Sequence, residues 1–547
     1  MGDRRKVAGI GATPDLFGDD HVRPAQPRPV KKRQASLKPS SETKGSEEAP
    51  LDLAIKLPFD AADDEDQAPG DAIHQAKRGR LGKWFQPADR IARENVAAPS
   101  SYQIATPYEV VQAYSYLQGR ILRARFDDRL DPDATILLLT ILLGRTAGQL
   151  NGSSGLWLGA MRLEEYRGHT CAIFDLDLGA KGIGKEQLPL LERHPVGPIR
   201  IPIPLTLAVA ARAIQAAQLP VPADLNLTTV LREVRAHTDR SITEGRLAAY
   251  LPAQLKRAGV DSAIVGALVG RRPEDHPQLS YTRMAATDLI NAYQEVVAPI
   301  WETYGEFIDW SNFSTKERIG TTLVPKAAAL RSVFKIVNSS IEETKSLSDK
   351  LAVSIHHNSL AFRTVTALQV ATVHRPIKSP FGLLSDFDLV RNFVLISDKE
   401  NRVTSSNRLI KFGPIARLAL DLWLAHLRRL AATQRQSTPK LAEMADAALA
   451  GRKELFFLAK NNRPVIYHSR LIETLFDKLL PLQANWPRHY VRSTLQHVCR
   501  GELLDTLLGH GSLGLEAQGP WSGLALSDAD ELAAATDKLI LELRLLP

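Results

Sequence analysis

Three segments of the chain carry side chains whose types and spacing suit phosphate chemistry. WPRHYVRSTLQHVC, residues 486–499, sets His489 three residues before Arg492, which puts both on one face of a helix. LLGHG, residues 507–511, places His510 after a second helix-like run. Upstream stand Arg375 in VHRP and Lys399 in the polar stretch SDKEN. Cutting a DNA phosphodiester without a metal needs fixed cations for the charge that grows on the nonbridging oxygens, and the planar arginine fork binds two oxygens at once. The leaving oxygen needs a proton, from lysine or histidine. A tyrosine hydroxyl can attack phosphorus and keep the bond energy as a phosphotyrosine. Arg375, Lys399, His489, Arg492 and His510 are the right types for every part but the nucleophile. A solvated helix face and a plain polar hairpin turn would use the same residues.

Such residues need elements to hold them. TPYEVVQAYSYLQGRILRARF (106–126) combines a threonine cap with helical apolar spacing. LTLAVAARAIQAAQL reads as a helix, and so does RLAAYLPAQLKRAGV, which Pro252 breaks or kinks. CAIFDLDL (171–178) and IRIPIP (199–204) read as short strands, and FVLISDKENRVTSSNRLIKF (393–412) as a hairpin with Lys399 in its turn. ALQVATVHRP (367–376) ends a helical stretch, IARLALDLWLAHLRRLA (415–431) is an amphipathic helix, and a last helix follows with Ser527 as its cap. The fold class expected is mainly α with small antiparallel β-sheets, α+β.

At 547 residues the chain exceeds one compact core. Its 44% hydrophobic and 24% charged residues are ordinary for a globular protein, and the net charge of +8 permits a nucleic-acid partner without requiring one. Two cysteines, Cys171 and Cys499, make neither a disulfide framework nor a cysteine zinc site and suit a reducing cytoplasm. The apolar run ILLLTILLG (136–144) is about half of what a bilayer needs, so no membrane partner is expected. Residues 1–98 hold a basic, proline-rich stretch (22–40), an acidic patch DAADDED and a basic KRGRLGKW, a composition that predicts disorder. Two domains follow, 99–305 and 315–547.

The order Arg375, Lys399, His489-x-x-Arg492, Gly509-His510 resembles the catalytic domain of the tyrosine recombinase (phage integrase) family over roughly residues 330–547. That resemblance implies that Arg375 and Arg492 grip the scissile phosphate, that Lys399 protonates the leaving 5′ oxygen, and that His489 and His510 serve proton transfer and phosphate contact. It implies DNA recombination or integration by a mobile-element protein, with double-stranded DNA and other recombinase subunits, identical or not, as partners and no cofactor. The nucleophile departs from the pattern: Trp521 stands near the place of the family's tyrosine, and no tyrosine follows Tyr490.

Residues 100–300 resemble the same domain more weakly, which points to two tandem divergent copies. Arg145 in LLGRTAGQL and Arg246 in ITEGRLAAYL take the arginine positions, and Tyr281 in SYTR the tyrosine position. Thr243 replaces the first histidine, Gly270-Arg271 replaces Gly-His with His276 nearby, and Lys181 and Lys185 both compete for the lysine. Arg145, Arg246 and Arg408 are the expected DNA contacts, with Tyr281 added to the catalytic set. Three functions stay open: an active recombinase whose tyrosine comes from Tyr281 or a partner, an inactive DNA-binding accessory subunit, and a helical protein-interaction scaffold. The first half also suits a helical DNA clamp.

Overall fold

The computed structural model describes residues 102–546, except 177–182, 195, 274–275, 314, 347–348, 376–378, 398–407, 477–478 and 510–523. The expectation for residues 1–98 lies outside the described residues. The rest is mainly helical with small antiparallel sheets.

The first half opens with α1 (Pro107–Phe126), started by a capping box: Thr106 Oγ1 accepts from the Glu109 amide, and the Glu109 carboxylate accepts from the Thr106 amide. α2 (Pro132–Leu143) is apolar all round and is accordingly buried on nearly every side. It stops at Gly144 in the left-handed region (φ 60), so Arg145 leaves the helix at a sharp turn. After the short α3 (Ala147–Asn151) comes an antiparallel meander of β1 (Arg162–Tyr166), β2 (His169–Phe174) and β3 (Ile199–Pro202). The helices α4 (Leu205–Ala217), α5 (Leu227–Thr238), α6 (Glu244–Ala248), α7 (Tyr250–Arg257) and α8 (Ser262–Leu268) follow. The chain breaks at Ala249, between α6 and α7. Pro252 sits in the first turn of α7, where its missing N–H costs nothing. β4 (Arg283–Ala285) and α9 (Ala286–Thr303) close this half.

β5 (Arg318–Gly320) pairs with β4 and leads into α10 (Ala327–Thr344) and α11 (Lys350–Thr372). A second meander, β6 (Phe387–Asp388), β7 (Phe393–Ile396) and β8 (Arg408–Lys411), contains the expected hairpin, with Phe393 opposite Lys411. Then come α12 (Pro414–Thr433), α13 (Pro439–Leu449), a hairpin of β9 (Phe457–Lys460) and β10 (Arg463–Ile466), α14 (Ser469–Phe476), α15 (Trp486–Leu495), α16 (Gly501–Leu508) and α17 (Leu526–Glu542). Ser527 does not cap α17. The cap position is Ala525, and the Asp528 carboxylate reaches back to its amide because Asp528 stands three residues on, within reach of a free N–H. α17 packs on its own half, where Asp537 accepts from the Ile415 and Ala416 amides at 2.8 and 3.0 Å and so caps α12.

Setting aside α3 and α7 in the first half and the β9–β10 hairpin with α14 in the second, the two halves share an order of elements: two helices, a three-stranded meander, two helices, an arginine-bearing helix, a short helix followed by a glycine, and a closing helix. Apolar packing divides along the same line. Of the two large clusters, one runs from Ala105 to Ile319 and the other, apart from Leu191, from Val324 to Leu546, and a small third joins Cys171, Ile173, Ile290 and Phe313. The second core also encloses a histidine network. His357 meets His426 at 3.0 Å through Nδ1 and the Phe457 carbonyl at 3.0 Å through Nε2, and His356 meets the Ile341 carbonyl at 3.1 Å. Among the described residues, no helix is long and apolar enough to cross a membrane.

Candidate phosphate-binding site at the junction of the halves

α15 presents two faces. Trp486, Tyr490, Val491 and Leu495 are buried in the second core. His489, Arg492, Ser493 and Gln496, spaced at one helical repeat, meet the first half and the strand that leads out of it. Ser493 Oγ accepts from the Arg283 amide at 2.9 Å and donates to the Tyr281 carbonyl at 3.2 Å, while Gln496 donates to the Arg283 carbonyl at 2.7 Å. Thr321 Oγ1 accepts from the Leu323 amide and is hydrogen-bonded to Nδ1 of His489, 2.9 Å away, in the direction the imidazole tautomer sets.

Arg492 is fully buried, and its two terminal nitrogens donate to the two oxygens of Asp261, 231 residues earlier, at 2.8 Å each. This is the bidentate arrangement a phosphate would also accept. Asp261 caps α8 as well, accepting from the Ala263 amide at 2.8 Å. Asp505 of α16 stands 3.7 Å from the same guanidinium and accepts from Ser262 Oγ at 2.6 Å. Burial lowers the pKa of Arg492, but the Asp261 carboxylate, helped by Asp505, more than reverses this and holds it above the ordinary arginine value. Burial pushes Asp505 up to about 6, against the pull of Arg492. Arg492 therefore offers no open edge to a ligand in this arrangement; a phosphate would have to replace Asp261.

Beside this pair the first half contributes Tyr281, whose ring lies 4.9 Å from the His489 ring, centroid to centroid. The Arg488 guanidinium lies over the same tyrosine at 4.7 Å. Arg488 is buried and donates to the Val373 carbonyl at 2.8 Å and to the Leu508 carbonyl at 3.1 Å. It thus ties together the end of α11, the end of α16 and the Tyr281 segment. Sequence reasoning missed it, because an arginine beside His489 reads as one more cation on a basic helix; its only signal was its place at the N-terminal turn of α15.

Arg375 and Arg408 lie close to that hub. Arg375 follows the end of α11, two residues past Val373, which closes the helix at φ 52, a strained value for a β-branched residue. Arg408, at the start of β8, is buried with its guanidinium against Gly509. Gly509 ends α16 at φ 66, and a Cβ there would fall 2.8 Å from Arg408 Nη1, so both backbone angle and space require glycine. Lys399, His510 and Trp521 lie outside the described residues, as does Lys181.

The first half repeats one part of this and not another. Arg145 is buried with its guanidinium 3.5 Å over the Phe174 ring and its other side against Gly270 (φ 69), where a Cβ would collide with it. Its Nη2 donates to the Leu268 carbonyl at 3.4 Å, and burial lowers its pKa to about 10. Arg246 is also buried, but Glu109, the capping-box residue of α1, accepts from it at 2.9 and 3.1 Å. Burial raises the Glu109 pKa, and the Thr106 amide with Arg246 outweighs it, leaving the carboxyl below its usual value. Nearby, Lys256 and Arg271 line a groove of about 380 Å³ with Thr146 and Gln149.

Comparison with family models, with curated proteins and with solved structures returns no match to this chain. The junction itself is where the reactive side chains meet. It brings a tyrosine, a histidine and an arginine from two halves together, next to an arginine already holding a carboxylate. A tyrosine hydroxyl is a nucleophile and a guanidinium an oxyanion binder by type, and here Arg492 already holds Asp261 while Arg488 holds two carbonyls. Among the described residues, no cluster of three His, Cys, Asp or Glu side chains has the makings of a metal site.

Proposed function

We propose that this protein is an integrase-like binder of double-stranded DNA, with two recombinase-like halves of which the first lends Tyr281 to the phosphate pocket of the second. The observation that carries this reading is Tyr281 against His489 and Arg488. Trp521 has no hydroxyl to attack phosphorus, so a tyrosine from the other half supplies what the second half's own sequence lacks. In this reading Arg375 and Arg492 hold the phosphate, Arg488 braces Tyr281 and the ends of α11 and α16, Lys399 protonates the leaving oxygen, and His489 and His510 assist. Arg145, Arg246 and Arg408 brace or contact the duplex, and the chain acts in assemblies of recombinase subunits of a mobile element. The test is a nicked suicide duplex followed by a denaturing gel. A covalent adduct in the wild type that disappears in Tyr281→Phe supports the reading, and an adduct that survives the substitution removes Tyr281 from it.

A second reading has its own support. The pairing of Arg492 with Asp261 closes the pocket, which fits an accessory subunit that binds DNA without cutting it. Salt-sensitive duplex binding with no adduct under any condition selects this second function. Absence of salt-sensitive binding leaves the protein-interaction scaffold.

A further inference from the structure

The acid on Arg492 has the geometry of a bound substrate. Asp261 gives each of its oxygens to one terminal nitrogen of the guanidinium at 2.8 Å, as two nonbridging phosphate oxygens would. Neither partner is open to water: the Arg492 side chain is 0% exposed and that of Asp261 6%. The segments around the pair also belong to opposite halves. Ser262 donates to Asp505, a Cβ on Gly501 would meet the Asp261 and Ser262 backbone within 3.3 Å, and Ser493 holds both Tyr281 and Arg283. The α8 N-terminus and the Tyr281 segment together cover the face of α15 that carries His489 and Arg492.

We infer that Asp261 is an internal phosphate mimic: the first half occupies the phosphate-binding position of the second, and a DNA phosphodiester enters by displacing the Asp261 carboxylate from Arg492. This rests on the DNA-binding reading above and adds to it a closed resting state. A carboxylate bound to the same fork competes directly with a phosphate, so its removal leaves the arginine charge for the ligand. Asp261 also caps α8, so its departure uncaps that helix, and DNA binding loosens the first turn of α8 while it engages α15.

The test compares the wild-type full chain with Asp261→Asn, which keeps size and capping ability but not charge. The probe is a fluorescent duplex titrated at several salt concentrations. Asp261→Asn is expected to bind about 10-fold more tightly, with a salt dependence steeper by about one phosphate contact, and Arg492→Gln added to it is expected to cancel the gain. Unchanged or weaker binding by a folded Asp261→Asn protein overturns the inference while leaving DNA binding intact. If neither protein binds DNA, both the inference and the reading beneath it fall. Hydrogen exchange on the wild type covers the case in which the variant does not fold. Saturating duplex is expected to speed exchange in the first turn of α8, and unchanged or slower exchange there in a DNA-bound sample overturns the inference.

Discussion

The two halves neutralise their corresponding arginines in different ways. Arg246 is answered inside its own half by Glu109, whereas Arg492 is answered by Asp261 from the other half. The half without the His-x-x-Arg and Gly-His spacings is thus electrostatically complete, and the half that carries them is completed from outside. A well-kept set of motifs and a self-sufficient site are separate properties. By contrast, one kind of seat recurs in both halves on arginines that do not correspond in position, Arg145 after α2 and Arg408 in β8. Arg145 packs on Gly270 and Arg408 on Gly509, each a positive-φ glycine at the end of a short helix.

The strongest way to break this comparison is to remove one partner of each pair. Arg492→Ala leaves Asp261 buried without its counter-charge and is expected to cost about 3–5 kcal/mol in denaturant unfolding. Arg246→Ala strips the counter-charge from one carboxylate, Glu109, where Arg492→Ala strips it from both Asp261 and Asp505, so it is expected to cost less, and equal losses would end the distinction. Next in size is the response to acid. Burial lowers the pKa of His357 to about 4 and puts His356 and His426 below their ordinary value too. These folded-state values lie below those of the unfolded chain, so stability is whole above about pH 6.5 and falls as the pH drops towards 4, by on the order of 3 kcal/mol for His357 alone. The corresponding network is not found among the described residues of the first half, so acid titration followed by hydrogen exchange should open α11 and α12 before α1 and α2.

Smaller effects sharpen the likeness. Gly270→Ala and Gly509→Ala each place a Cβ in the left-handed region and against a guanidinium, and both should cost about 1–2 kcal/mol. Thermal unfolding of the two variants checks this, and a cost confined to one of them would show that the seats are unlike. Smallest is Asp505→Asn. Because burial raises the Asp505 pKa to about 6, its ionised form is strained above that pH. The penalty builds between the free carboxylate value and about 6, so the amide should gain about 1 kcal/mol at pH 8, part of that at pH 5 and nothing at about pH 3, where the carboxyl is protonated in both states.

Local signals carried most of the fold. The TPYE cap and apolar spacing place α1, and alternation with a polar tip places the β7–β8 hairpin, because both depend on residues close in sequence. The β9–β10 hairpin carried no such mark: its strands are four residues each, and its turn at Asn461 and Asn462 uses positive φ without glycine. Within the candidate site, spacing put His489 and Arg492 on one helix face. It could not reveal that Asp261 would meet Arg492, since nothing local joins residues 231 apart. Arg488 was hidden for a related reason: its role lies in three carbonyl and ring contacts from distant segments.

The separation of Asp261 from Arg492 also sets an order of assembly. The first half leaves the ribosome earlier, and its Asp261 is useful at once as a helix cap that tolerates water. Arg492 arrives later and has no acid of equal reach within its own half, Asp505 being 3.7 Å away. Synthesis therefore runs from the part that can wait to the part that cannot. A fragment ending near residue 305 should fold and stay soluble, whereas one beginning near 315 should emerge with a buried charge unanswered and turn to chaperones or aggregation.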